Sequence, residues 1–107
     1  MNLNTSFKLN QCKVQPPENI ISNGDTKLTL QPKFIEVLAF LAQQYPNLVT
    51  REQIIEEIWD GNFYVGEKAL TNAIWHLRKS LKSFDANIEF IETIRKTGYK
   101  LLIEPEY

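Results

Sequence analysis

The chain has 107 residues, a formal net charge of −1, and globular proportions of 43% hydrophobic and 23% charged residues. That length fits one domain with its own core, and the composition excludes a fibre or a disordered tail. A single cysteine, Cys12, excludes an internal disulfide and fits a reducing compartment, and with one histidine, His76, it leaves no metal-ligand cluster and no Cys–His nucleophile.

The first elements read as short strands over residues 6–30. Phe7, Leu9 and Val14 alternate with polar neighbours, and Pro16-Pro17 breaks the run. Ile20 and Ile21 open a second run, Asn23-Gly24-Asp25 signals a hairpin turn, and Leu28 and Leu30 share one face of the strand that follows. A small antiparallel sheet is the expectation. A first helix is predicted over residues 31–45. Pro32 suits its first turn, Phe34, Val37, Leu38, Leu41 and Ala42 recur on one face, and Pro46 stops it. A second helix, residues 50–59, opens with Thr50 and Gln53 spaced as a capping box and carries the stripe Ile54, Ile55, Ile58, Trp59. Asp60-Gly61-Asn62 ends it, and Phe63–Gly66 reads as a linker. A third helix, residues 67–83, turns Leu70, Ala73, Ile74, Leu77 and Leu81 inward. Residues 88–103 read as a hairpin: Ile88, Phe90, Ile91 and Ile94, then the basic turn Arg95-Lys96-Thr97-Gly98 with glycine at the bend, then Tyr99–Ile103.

The charge is unevenly spread. Residues 1–67 hold five Lys/Arg and eight Asp/Glu, residues 68–100 hold seven and three, and the last seven add Glu104 and Glu106. The net balance is thus −3, +4 and −2 along the chain. The positive stretch holds the third helix and the hairpin. With the apolar stripe inward, Lys68, Thr71, Asn72, Trp75, His76, Arg78, Lys79 and Lys82 lie at or beside the helix's outer face. A major groove admits one helix; Asn pairs with adenine, Arg with guanine, and Lys and Thr hold phosphates. Arg95 and Lys96, beside Thr93 and Tyr99, form a second basic element, and an arginine on a hairpin tip suits the minor groove. A solvated helix face and a solubilising turn would explain each alone. Both together, in this order, fit a helix-turn-helix followed by a wing.

The segments Thr50-Arg-Glu-Gln-Ile-Ile-Glu-Glu-Ile-Trp59, Ile74-Trp-His-Leu-Arg-Lys-Ser-Leu81 and Ile91-Glu-Thr-Ile-Arg-Lys-Thr-Gly-Tyr99 together resemble the DNA-binding domain of the OmpR/PhoB-type transcription regulators. The resemblance covers nearly the whole chain. It implies an α+β winged helix-turn-helix: an N-terminal four-stranded antiparallel sheet, three helices and a C-terminal β-hairpin wing, with no cofactor. It implies double-stranded promoter DNA as partner, bound as a dimer or in tandem, with transcription activated. Carried over by position, the reading-helix contacts fall near Lys68, Asn72, His76 and Arg78, and the wing contacts near Thr93, Arg95 and Tyr99. The loop Asp60, Gly61, Asn62, Phe63, Tyr64 corresponds to the segment that meets RNA polymerase, and Trp59 to a mostly buried side chain beside the DNA backbone. Trp75 and His76 depart from the usual basic or small residues, and Lys96 replaces a frequent glycine.

A winged helix starting so near the N-terminus is most similar to the ToxR/CadC class, in which a transmembrane helix and periplasmic sensor follow the cytoplasmic domain. No apolar run reaches the roughly 18 residues of a membrane span, and the first residues lack a signal-peptide pattern. The expectation is a cytoplasmic domain cut from a membrane-anchored regulator. A competing reading is a winged helix that binds only protein, supported by the acidic balance of residues 1–67 and by Phe63, Tyr64 and Trp75. An enzyme is disfavoured: there is no Gly-rich phosphate loop, and Glu56-Glu57, adjacent on a helix, point apart.

Overall fold

A computed structural model describes residues 2–107. Four short strands open the chain: β1 (Phe7–Leu9), β2 (Cys12–Gln15), β3 (Ile20–Asn23) and β4 (Thr26–Thr29). Each pairs antiparallel with the next, as expected. Asn10 in the β1–β2 turn has a left-handed φ of 57°, which asparagine tolerates well. Phe7, Leu9, Cys12, Val14 and Ile21 point to the buried face.

The sheet has a fifth strand that the sequence does not announce. β8 (Pro105–Glu106) returns from the C-terminal side and pairs with β1, Leu9 opposite Pro105 and Lys8 opposite Glu106. The order is β4-β3-β2-β1-β8. Pro105 has no N–H to give, which an outermost strand accommodates.

Helix α1 (Pro32–Gln44) is buried on more than one face: every residue from Val37 to Ala42 is buried. It lies at the centre, with the sheet, α2 (Arg51–Trp59) and α3 (Phe63–Phe84) around it, so the single inward face expected from spacing understates its burial. Ile54, Ile55 and Ile58 of α2 and Leu70, Ala73, Ile74, Leu77 and Leu81 of α3 complete one core.

Helices α2 and α3 approach closely at Gly66. A Cβ there would sit 2.6 Å from Ile55 Cγ2, so the crossing admits no side chain unless Ile55 moves. The wing is a three-stranded sheet rather than an isolated hairpin. β6 (Ile91–Ile94) and β7 (Gly98–Leu101) pair as predicted, and β5 (Val49–Thr50), just before α2, pairs with β7.

Cys12 is buried, and burial, with the charge of Asp85 as a smaller cause, pushes its thiol pKa up. A protonated, enclosed thiol packs as a small apolar side chain.

Candidate nucleic-acid interface

The interface is built on the α2–turn–α3 unit. The predicted capping box is present. Thr50 Oγ1 accepts from Gln53 N at 3.1 Å, and Gln53 Oε1 accepts from Thr50 N at 2.9 Å. The turn is shorter than expected. Asp60 and Gly61 both take left-handed φ values, 52° and 77°, and Asn62 Oδ1 caps α3 by accepting from Val65 N at 3.2 Å. Residues 63–66, expected as a linker, are therefore the first turn of α3. Asn62 closes one helix in sequence terms but starts the next, and Phe63-Tyr64-Val65 is a poor helix signal. Phe63 and Tyr64, expected on a loop with Asp60, Gly61 and Asn62, instead project from a helix. Tyr64 is 95% exposed, and Phe63 and Val65 are exposed beside it.

Along α3, Lys68, Asn72, Trp75 and Lys79 form one exposed stripe, spaced i, i+4, i+7, i+11. At 1.5 Å per residue the stripe runs about 16 Å. Thr71 lies exposed on its flank, but its hydroxyl is occupied: it accepts from Arg51 Nη2 at 3.1 Å and donates to Glu67 O at 3.2 Å. Lys82 is exposed at the far end and pairs with Glu89 at 3.6 Å.

Two residues expected on the reading face face other parts of the protein. Arg78 is half-buried and donates to Ile91 O at 3.0 Å and to Thr93 Oγ1 at 2.6 Å, so it ties α3 to β6. His76 turns to the α1 flank and stacks on Phe34, ring centroids 5.0 Å apart and 15° from parallel. Tyr99, expected as a wing contact, is only 6% exposed, and its hydroxyl accepts from Arg51 Nη1 at 2.7 Å. Helical spacing placed His76 and Arg78 at the surface, and the family resemblance placed Tyr99 there; the neighbouring elements cover them.

Arg51 was not singled out by sequence and holds the unit together. Its Nη2 donates to Glu67 O at 2.8 Å and to Glu67 Oε2 at 3.0 Å, and its guanidinium carbon lies 5.8 Å from the Tyr99 ring centroid. Its backbone N donates to Thr97 O at 3.1 Å. One side chain thus joins α2, α3 and the wing. The available hint is electrostatic: a cation in a helix's first turn opposes the macrodipole, so its partners lie outside the helix.

At the wing tip, Arg95 and Lys96 are exposed, and neither has an ion-pair partner among the described residues. The bend is not where the sequence put it. Lys96 takes the left-handed conformation, φ 61°, and Gly98 lies within β7. That conformation costs an ordinary residue about 1–2 kcal/mol. Gly98 is needed for a different reason: a Cβ there would sit 2.0 Å from Val49 O.

The family model for the C-terminal domain of transcriptional regulatory proteins matches residues 25–101. The chain belongs to this family. Among curated relatives, the transcriptional activator CadC of Escherichia coli is 37% identical over 91 residues, covering 84% of this chain and 18% of CadC. The cholera toxin homolog transcriptional activator of Vibrio parahaemolyticus is 32% identical over 110 residues, 98% of this chain and 38% of that protein. The chain thus spans well under half the length of these relatives. The solved DNA-binding domain of E. coli CadC superposes with a TM-score of 0.83 at 33% identity, over 95% of this chain and 96% of that one. The DNA-binding domain of E. coli CpxR, 22% identical with a TM-score of 0.76 over 91% of this chain and 95% of that one, shares the fold. This member of the transcriptional regulatory family therefore has the expected α+β winged-helix architecture. Among the described residues no helix is long and apolar enough to cross a membrane.

Proposed function

We propose that the chain binds double-stranded promoter DNA sequence-specifically and regulates bacterial transcription, with α3 in the major groove and the β6–β7 wing in the adjacent minor groove. The observation that carries this reading is the pairing of two exposed basic elements across one braced unit. The Lys68–Lys79 stripe and the Arg95-Lys96 tip are joined through Arg51 and Arg78. A stripe of about 16 Å spans roughly five base-pair steps. Asn72 suits adenine, Lys68 and Lys79 suit phosphates, and Arg95 suits the minor groove's negative potential. Arg78, Thr93, Tyr99 and Thr71 act by holding this surface in place. Dimeric or tandem binding to repeated half-sites belongs to the same proposal.

Selection of bound sequences from a random duplex library tests it. The selected site then shows an adenine preference that Asn72→Ala relaxes, with a loss of about 1–3 kcal/mol. Unchanged affinity and preference in that variant removes Asn72 as a reader. No enrichment of any sequence removes specific recognition.

A second surface favours a protein partner. Tyr64 stands almost wholly exposed beside Phe63 and Val65, and Phe63 lines a surface cleft with Glu52, Glu56 and Glu57. We infer that this corner meets RNA polymerase. Tyr64→Ala is then expected to lower activated transcription several-fold while duplex affinity stays at the parent value; a parallel loss of both would contradict it. Promoter DNA places this work in the cytoplasm. Anchoring of the whole regulator in the inner membrane is the companion proposal, and recovery of the native gene product wholly in the soluble fraction would contradict it.

A further inference from the structure

The exposed reading stripe contains one side chain that neither phosphate binding nor adenine pairing explains. Trp75 is 57% exposed, in line with Asn72 one turn before it and Lys79 one turn after it. It is also braced. Its ring meets His76 edge-on, centroids 4.8 Å apart at 86°, and His76 in turn stacks on the buried Phe34 of α1. Lys79 Nζ lies 5.1 Å from the Trp75 ring centroid. A row of rings therefore runs from the core to the surface and ends in an aromatic face beside a cation.

A large ring exposed to water gains by covering an apolar group. The neighbours on the stripe are Lys68, Asn72 and Lys79, and the one carboxylate lining the same cleft, Glu67, is paired with Arg51 at 3.0 Å, so the face suits a polyanion. On the major-groove floor of B-DNA the apolar group that projects is the thymine 5-methyl. Because His76 and Phe34 already restrict the ring, little rotamer freedom is lost when it docks.

We propose that Trp75 is a specificity-determining residue that reads thymine by packing its indole face on one or two 5-methyl groups, with Lys79 directed to the flanking phosphate. The inference rests on the DNA-binding reading above. It makes thymine, in addition to the adenine read by Asn72, a fixed feature of the half-site centre.

The test is methyl deletion. In the selected duplex each thymine is replaced singly by deoxyuridine, and dissociation constants are measured for the parent and for Trp75→Ala. The parent is expected to lose about fourfold in affinity at one or two central positions, the worth of a buried methyl. In Trp75→Ala those penalties disappear. Because each penalty is a ratio within one protein, any general weakening cancels. As a second measurement, irradiated duplex carrying 5-iododeoxyuridine at the same positions cross-links the parent at Trp75. Parent binding that ignores every methyl, equal penalties in both proteins, or a cross-link elsewhere would overturn the assignment while leaving DNA binding intact. Loss of salt-dependent duplex binding altogether would overturn both.

Discussion

Gly98→Ala is expected to destabilise the protein by about 3 kcal/mol or more, the upper end of what overpacking costs. The new methyl would lie 2.0 Å from Val49 O and 2.8 Å from Thr50 Cα, both backbone atoms of β5. Backbone cannot swing aside as a side chain can, so relief requires β5 to leave β7. That would undo the pairing of Thr50 with Gly98 and of Val49 with Tyr99. It would also disturb the Thr50 cap of α2, because Thr50 is both a strand residue and the N-cap. With a slope of about 1–3 kcal/mol per molar urea, the unfolding midpoint should fall by about 1–3 M. A midpoint equal to the parent's would mean that β5 and β7 do not approach this closely.

Arg51→Ala is expected to cost about 1–3 kcal/mol in stability and to weaken duplex binding as well. The ion pair with Glu67 contributes little, since the Glu67 side chain is 51% exposed. The larger effect comes from the buried Tyr99 hydroxyl, which loses its donor, while the Glu67 carbonyl keeps the Thr71 hydroxyl. Without the bridge, Arg78 is the remaining side chain of the two that tie α3 to the wing, and the proposed complex needs both elements to reach their grooves together. Arg51→Lys should rescue poorly, because one ammonium cannot reproduce a fork that reaches Tyr99, Glu67 and Thr71 at once. The check is urea unfolding and duplex affinity measured on both variants at one salt concentration. A lysine variant as stable and as tight as the parent would show that only the charge matters.

The elements that periodicity controls were legible in the sequence. The apolar stripes of α2 and α3, the Thr50–Gln53 cap and a small antiparallel sheet before α1 all follow from local chemistry; that the sheet's N-terminal part has four strands came from the family resemblance. What was not legible depends on partners distant in the chain. β5 and β8 have two residues each and exist only because β7 and β1 offer open edges. Asn62 could end α2 or begin α3, and only the turn geometry decides. Gly98 read as a bend residue, because the carbonyl of Val49 that excludes a side chain there is far away in sequence.

The candidate site divides the same way. Lys68, Asn72, Trp75, Lys79, Arg95 and Lys96 are exposed where spacing put them. Arg78, His76 and Tyr99 share their chemistry and their apparent faces, yet each meets a neighbouring element. Long polar side chains at the edge of an amphipathic helix can reach either solvent or protein, and the sequence does not record which. Arg51 shows the converse. It lies in a segment that resembles the family, but its function comes from contacts with residues 16 and 48 positions away.

The most direct test of DNA recognition is the salt dependence of duplex affinity. Lys68, Lys79, Arg95 and Lys96 are four exposed cations placed to meet phosphates or the minor groove. Releasing the counterions of about four phosphates predicts that log affinity falls against log salt with a slope of about −3 to −4. Replacing Arg95 and Lys96 together with alanine should flatten that slope by about one unit per lost contact. Measured affinity that is absent or indifferent to salt would contradict the account.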